Sequence, residues 1–314
     1  MDCFRRGLGG RFNFYSVNKS SSGRSRRWKV AGALLVSGTI LGVILVWCIG
    51  STLIAPANRQ IGNPPPGLGA QSVTFSSASG SLIHGWLVPA AETNHPKGVI
   101  VLMHGIHANR LSMVQRAQLL HETGYSVLLF DFQAHGESPG TYITMGHLES
   151  RDATAAVGFA HQKYPGQKVG VIGVSMGAAA ALLADPPLPV DAMVLESCYP
   201  TVYQAVDDRL MMRFGILGKL GTPLLVCQLK PRLGFGPEAL CPIVNAAKIT
   251  VPKFFIAGTA DHDTTVQEAR ELYGAAAGPK QLWLVENAAH VDMQAFAKAE
   301  YKKRVLAFLA TYLQ

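Results

Sequence analysis

Hydrophobic positions fall into three regimes along the 314 residues. The first is Val30–Ala55, a stretch without one charged side chain. At 1.5 Å per residue it exceeds the ~30 Å hydrocarbon core of a bilayer, so it predicts a single transmembrane helix. A buried core helix would carry polar positions on some face. The apolar part of a cleaved signal peptide is shorter, about 7–15 residues. Leu45-Val46-Trp47-Cys48 only faintly resembles a lipoprotein cleavage box, because Trp47 stands where a small residue is needed. Ser25-Arg26-Arg27 lacks the residues that follow a twin-arginine signal. The second regime, residues 56–70, holds Pro64-Pro65-Pro66-Gly67 and predicts a stiff, extended tether.

The third regime, 71–314, is strand-rich and then alternating. Ser72–Phe75 and Leu82–Val88 predict an antiparallel hairpin. Further strands are expected at Val99–Met103, Tyr125–Phe130, Val169–Ile172, Ala192–Leu195, Lys253–Ala257 and Leu282–Val285. Helices are expected between them at Leu111–Thr123, Leu148–Lys163, Ser175–Leu183 and Thr265–Tyr273, with Val291–Leu313 closing the series. The middle strands are continuous apolar runs, as when helices cover both sheet faces. The fold class is therefore α/β, a mostly parallel sheet with an antiparallel N-terminal edge. Residues 199–245 break the rhythm, with no clean strand. A structureless loop of that length is improbable, so the segment predicts helices that complete the core or cap an active site.

The formal charge of +8 invites a nucleic-acid reading until it is located. Residues 1–29 carry eight basic side chains against Asp2, leaving the remainder nearly neutral. No basic stripe is left to track phosphates, which argues against nucleic acid as a partner. Arg24, Arg26, Arg27 and Lys29 flank one end of the apolar stretch and only Arg59 lies near the other. The positive-inside bias then puts the tail in the cytoplasm and the large domain across the membrane. Of five cysteines, Cys198, Cys227 and Cys241 fall in the exported part, so at most one disulfide joins them. No Cys-x-x-Cys or His-rich spacing calls for a metal, and no cofactor is expected.

Gly173-Val174-Ser175-Met176-Gly177 sits between a predicted strand and an Ala-rich helix. That context makes it a nucleophile elbow, in which a strained turn exposes the serine hydroxyl beside the first helical amides. A serine needs a base, and the base needs an acid to fix its tautomer. In chain order the acid follows a late strand, where Asp261 fits, with Asp263 as competitor. The base follows the last strand, which gives His290. His104 and His107 precede the nucleophile and are set aside as bases. Oxyanion donors are expected from the amides of Met176 and of Ile106, with Gly105 letting that backbone turn inward. Asp131, Glu137 and Asp152 are read as loop anchors or caps.

These residues together resemble the α/β-hydrolase superfamily. The likeness is to its membrane-anchored Bem46-like members and their serine aminopeptidase-type relatives. It covers about Ser72 to Leu313 and rests on His104-Gly105, Asp131-Phe-Gln-Ala-His-Gly136-Glu-Ser138, Gly173-Val-Ser175-Met-Gly177, Leu195-Glu-Ser, Gly258-Thr-Ala-Asp261 and Ala289-His290. The resemblance implies Ser175, Asp261 and His290 as a triad, with Ile106 and Met176 as oxyanion donors. Gln133 departs from the family, which usually has arginine there in a loop-bracing role. The expectation is a membrane-anchored serine hydrolase acting on small-molecule or lipid esters. A peptidase or amidase using the same residues, and a non-catalytic membrane scaffold, are its rivals.

Overall fold

The computed structural model describes residues 22–91 and 96–314, with side chains from 26 onward. The basic tail up to residue 21, including Cys3, lies outside the described residues. Two units compose the chain, Met1–Leu45 and Val46–Gln314. Helix α1 (Ser22–Leu53) begins inside the basic flank, and its last two turns belong to the second unit. In the first unit Leu34, Leu35, Leu41 and Val43 are all exposed, so the helix is apolar on every side. Its Arg26–Leu53 portion is a candidate membrane span by length and composition.

Residues 56–70 do not form a free tether. β1 (Ala57–Asn58) pairs in parallel with the short β6 (His135–Gly136), and Asn58 Nδ2 donates to the Gly136 and Ser138 carbonyls. The Ile61 and Gly62 amides both donate to Glu137 Oε1, and Leu68 is buried in the core. Proline stiffness is real here, but it serves a strap laid along the domain. Burial pushes the Glu137 carboxyl up, yet the Gly62 and Ile61 amides and the Arg110 guanidinium outweigh it and hold it down to about 2.

The sheet follows the expected order of elements. β2 (Gln71–Ser76) and β3 (Leu82–Val88) form the antiparallel hairpin. β4 (Val99–Met103), α2 (Val114–Glu122), β5 (Ser126–Phe130), α3 (Glu149–Lys163), β7 (Val169–Val174), α4 (Met176–Leu183) and β8 (Ala192–Glu196) alternate after it. α5 (Val202–Phe214), α6 (Thr222–Val226), α7 (Leu229–Leu233) and α8 (Pro242–Ala246) fill the strandless segment. β9 (Lys253–Gly258), α9 (Val266–Ala275), β10 (Lys280–Val285), α10 (Met293–Phe296) and α11 (Lys298–Leu313) complete the chain. Eight strands align as β10-β9-β8-β7-β4-β5-β3-β2, with β3 alone reversed, antiparallel to both β2 and β5, and the remaining pairs parallel. β4, β5 and β8 are buried along their whole length, which is why they read as unbroken apolar runs.

Two helices differ from expectation at their ends. The first starts as a 3₁₀ turn, Arg110–Met113, capped by the Asn109 side chain on Leu111 N. The predicted 291–313 helix is split: Asp292 caps a short first helix through Gln294 N and Ala295 N, and Ala297, at φ -120 and ψ 41, separates it from α11. Cys48, Cys198, Cys227 and Cys241 are all free, so no disulfide joins the described cysteines.

Candidate active site

Met103 of β4 pairs with Gly173 of β7, so the loop after β4 and the elbow after β7 emerge side by side. Ser175 sits between β7 and α4 at φ +51, a conformation that costs a non-glycine residue about 1–3 kcal/mol. A Cβ at 173 would lie 2.6 Å from Ala178 N, and one at 177 would lie 2.7 Å from His104 O. Both glycines are there because backbone passes too close for a side chain. Ser175 N donates to Glu196 O at 2.8 Å, which ties the elbow to β8.

The acid and the imidazole meet. His290 Nδ1 lies 2.8 Å from Asp261 Oδ2. Asp261 is buried, and its Oδ1 accepts the Asp263 and Thr264 amides while Oδ2 also accepts the Thr264 hydroxyl, each at 2.9 Å. Burial pushes the Asp261 carboxyl up, but the His290 ring and the Thr264 donors outweigh it and hold it below its ordinary value. Asp263 turns elsewhere, to Arg209 at 3.4 Å. Asp261, Asp263 and His290 present ligand atoms within 4.8 Å of one another. Asp261 has already committed its lone pairs to four donors, so the cluster reads as a hydrogen-bonded pair with a neighbour.

Ser175 and His290 line one cleft of about 290 Å³, together with Ile106, Arg116, Ser197 and Arg209. Among the described residues no hydrogen bond yet joins hydroxyl to imidazole; in unliganded enzymes such contacts are often long and tighten on substrate. Within the described hydrogen bonds the Ile106 and Met176 amides have no acceptor, so both are free to meet an anion. The reason given for Gly105 needs correction. A Cβ there would make ordinary 3.6 Å contacts, and the turn is made by His107 at φ +56.

The histidines set aside as bases are structural. His104 Nδ1 donates to Gly105 O at 2.7 Å, and Nε2 accepts Phe132 N at 3.1 Å. Complete burial and the neighbouring His135 drive its pKa down to about 3, so it stays neutral and locks the loop to the segment after β5. His107 N donates to His135 Nε2 at 3.2 Å. Asp131 and Glu137 both pair with Arg110, and Asp152 accepts Ser79 Oγ and Gln133 N, so all three are anchors. Gln133 replaces the ion pair the resemblance leads one to expect. Its Nε2 donates to Glu149 Oε1 and Tyr142 O, both at 2.8 Å.

Arg116 was not singled out by sequence reasoning. Its guanidinium lies 2.7 Å from Glu196 Oε2 and 2.9 Å from Asp292 Oδ1, and Tyr301 Oη donates to Glu196 Oε1 at 2.6 Å. The group therefore joins the strand beside the elbow to the loop carrying His290. A signal existed: Met113, Arg116, Ala117 and Leu120 share one helix face, and an arginine on a buried face demands partners.

Comparison with known proteins bears on the family. A family model described as Serine aminopeptidase, S33 matches residues 94–228. Esterase Pf2001 of Pyrococcus furiosus superposes with a TM-score of 0.66 at 26% identity, covering 82% of this chain and 97% of that one. The chain belongs to the α/β-hydrolase superfamily. This α/β-hydrolase is also 28% identical to protein YqkD of Bacillus subtilis over 237 residues, 74% of this chain and 77% of the relative. It is 33% identical to the Monoacylglycerol lipase of Mycolicibacterium smegmatis over 131 residues, 40% of this chain and 46% of that enzyme.

Proposed function

We propose that this α/β-hydrolase is a serine esterase held to a membrane by its N-terminal helix. The observation that carries the reading is the hydrogen-bonded Asp261–His290 pair in the same cleft as Ser175, where two amides stand free. In this reading Ser175 Oγ attacks the ester carbonyl while His290 Nε2 takes its proton. Asp261 holds the ring with its proton on Nδ1 and stabilises the imidazolium. The tetrahedral oxyanion sits between the Ile106 and Met176 amides; losing one such donor typically costs about 3–4 kcal/mol. Collapse expels the alcohol, which takes the proton back from His290. Water then repeats the sequence on the acyl-enzyme and releases the acid.

Esters are favoured over amides because an esterase and a monoacylglycerol lipase stand among the relatives. The name of the family model gives the peptidase reading its support. Anchoring rests on the uncharged Val30–Ala55 stretch and its basic flank, which also orient the catalytic unit away from the cytoplasm. Labelling with a fluorophosphonate probe, alongside a matched ester and amide panel, tests the reading. Wild type should label and prefer esters. Ser175→Ala should lose both labelling and turnover, and labelling that persists would remove Ser175 as nucleophile.

A further inference from the structure

The segment between β8 and β9 exposes an apolar face far larger than its helices need. Met212, Phe214, Ile216, Leu217, Leu220 and Leu224 are exposed, with Ile216, Leu217 and Leu220 each above 70%. They are consecutive along the end of α5, the 3₁₀ turn Gly215–Gly221 and α6. Contiguous patches of this kind mark an interaction surface. By length and composition Val202–Leu233 could itself cross a membrane. It is broken into short pieces at Gly215 and Cys227, so it has no straight helix with which to span. An apolar, broken segment of this kind lies in an interface rather than crossing it.

What covers the face is indicated by what lies beside it. Gln228 Nε2 donates both to Leu224 O, in the patch, and to Val46 O, in the last turns of α1. Arg232 donates to the Trp47 carbonyl and to Ser51 Oγ, and its guanidinium stacks 3.8 Å from the Trp47 ring centroid. A Cβ at Gly50 would lie 3.1 Å from Gln228 Cδ, so the helix end seats directly on α7. The apolar face thus adjoins the end of the candidate span, where Trp and Arg are the side chains that favour the membrane–water boundary. Exposed Arg213 and Lys219 lie among the apolar positions, Lys219 paired with Asp207 at 3.5 Å, so the face carries polar groups that can stay at the water side of an interface. On its other side α5 contributes Arg209 to the wall of the Ser175 cleft.

We infer that the face formed by Phe214–Leu224 seats in the surface of the bilayer that holds α1, and that Ser175 draws its ester from that bilayer. The inference rests on the anchored-esterase reading and names where its substrate resides. An indole placed in the face reads its depth. Full-length chain carrying Leu217→Trp is reconstituted into vesicles of phosphatidylcholine and phosphatidylglycerol, with and without bromine on the acyl chains. Trp28 and Trp47, both on α1, report the anchor on their own through the wild-type loss of emission. The face in the bilayer gives a further loss from the added indole. A difference spectrum identical in both vesicles overturns the inference. A blue-shifted but unquenched indole also overturns it and assigns the face to a second copy of the chain. If Trp28 and Trp47 escape quenching, the anchor itself fails and the inference with it.

Activity gives an independent arm. The triple substitution Ile216→Ser, Leu217→Ser and Leu220→Ser should lower turnover of a long-chain ester in those vesicles about tenfold, while a short water-soluble ester is hydrolysed at the wild-type rate. Equal rates of variant and wild type on the vesicle ester overturn the inference. A wild type that hydrolyses neither ester ends the esterase reading, while the indole still decides where the face lies.

Discussion

Ser175 and Glu268 show how far single side chains follow from their neighbours. The elbow was readable because its close packing leaves a mark in the alphabet: only glycine fits at 173, against the start of α4, and at 177, against the backbone leaving β4. Glu268 left no such mark. Its backbone role is a capping box with Thr265, but burial and the nearby Asp208 push its carboxyl up to about 8. A folded-state value above the ordinary 4.5 means the neutral form is favoured on folding. The protein should therefore lose stability as pH rises from about 4.5 through about 8, with no further loss from this group beyond. Glu268→Gln keeps the shape of the neutral acid. Denaturant titrations across that window should show a flatter profile for the variant, with the gain over wild type greatest at the alkaline end. A parallel shift of both profiles would count against the assignment.

Strands and helices were legible where one physical rule sets them. Continuous apolar runs marked the buried parallel strands, and the antiparallel pair was set off by its polar turn. Helix ends were less legible. Residues 293–298 contain no Gly or Pro, yet the helix breaks at Ala297, while the start of its first turn is fixed by Asp292, which caps it and bonds Arg116. That partner is distant in sequence, so no local pattern announces it. Arg116 and Glu196 are both almost fully buried, and removing one member of such a pair typically costs about 3–5 kcal/mol. Arg116→Met should reach that range in chemical denaturation and lower kcat by loosening the His290 loop. Adding Glu196→Leu should recover a large part of the stability, because no unpaired charge stays buried. A double variant as unstable as the single would show that the pair is not the cause.

Over the whole chain, charge and hydropathy mark a basic tail and an apolar stretch, but neither the division after Leu45 nor the part played by residues 56–70. Pro64-Pro65-Pro66 predicts stiffness equally for a free spacer and for a strap, and only the acceptors on residues 135–138 decide between them. A chain beginning at Pro56 should remain folded and hydrolyse a soluble ester while floating with vesicles far less than the full chain, through the Phe214–Leu224 face alone. One beginning at Gln71 should lose on the order of 2–3 kcal/mol more, from the buried Leu68 and the strap's hydrogen bonds. Thermal melts of the two chains make the comparison, and equal midpoints would relegate the strap to decoration. The strap also governs reach. With only three residues between the end of α1 and the first strap strand, the catalytic unit has no leash to swing on. With α1 as the anchor proposed above, an enzyme held so short would work on its own patch of membrane, in cis, and a molecule on an opposing membrane or adrift in the surrounding fluid would have to come to it.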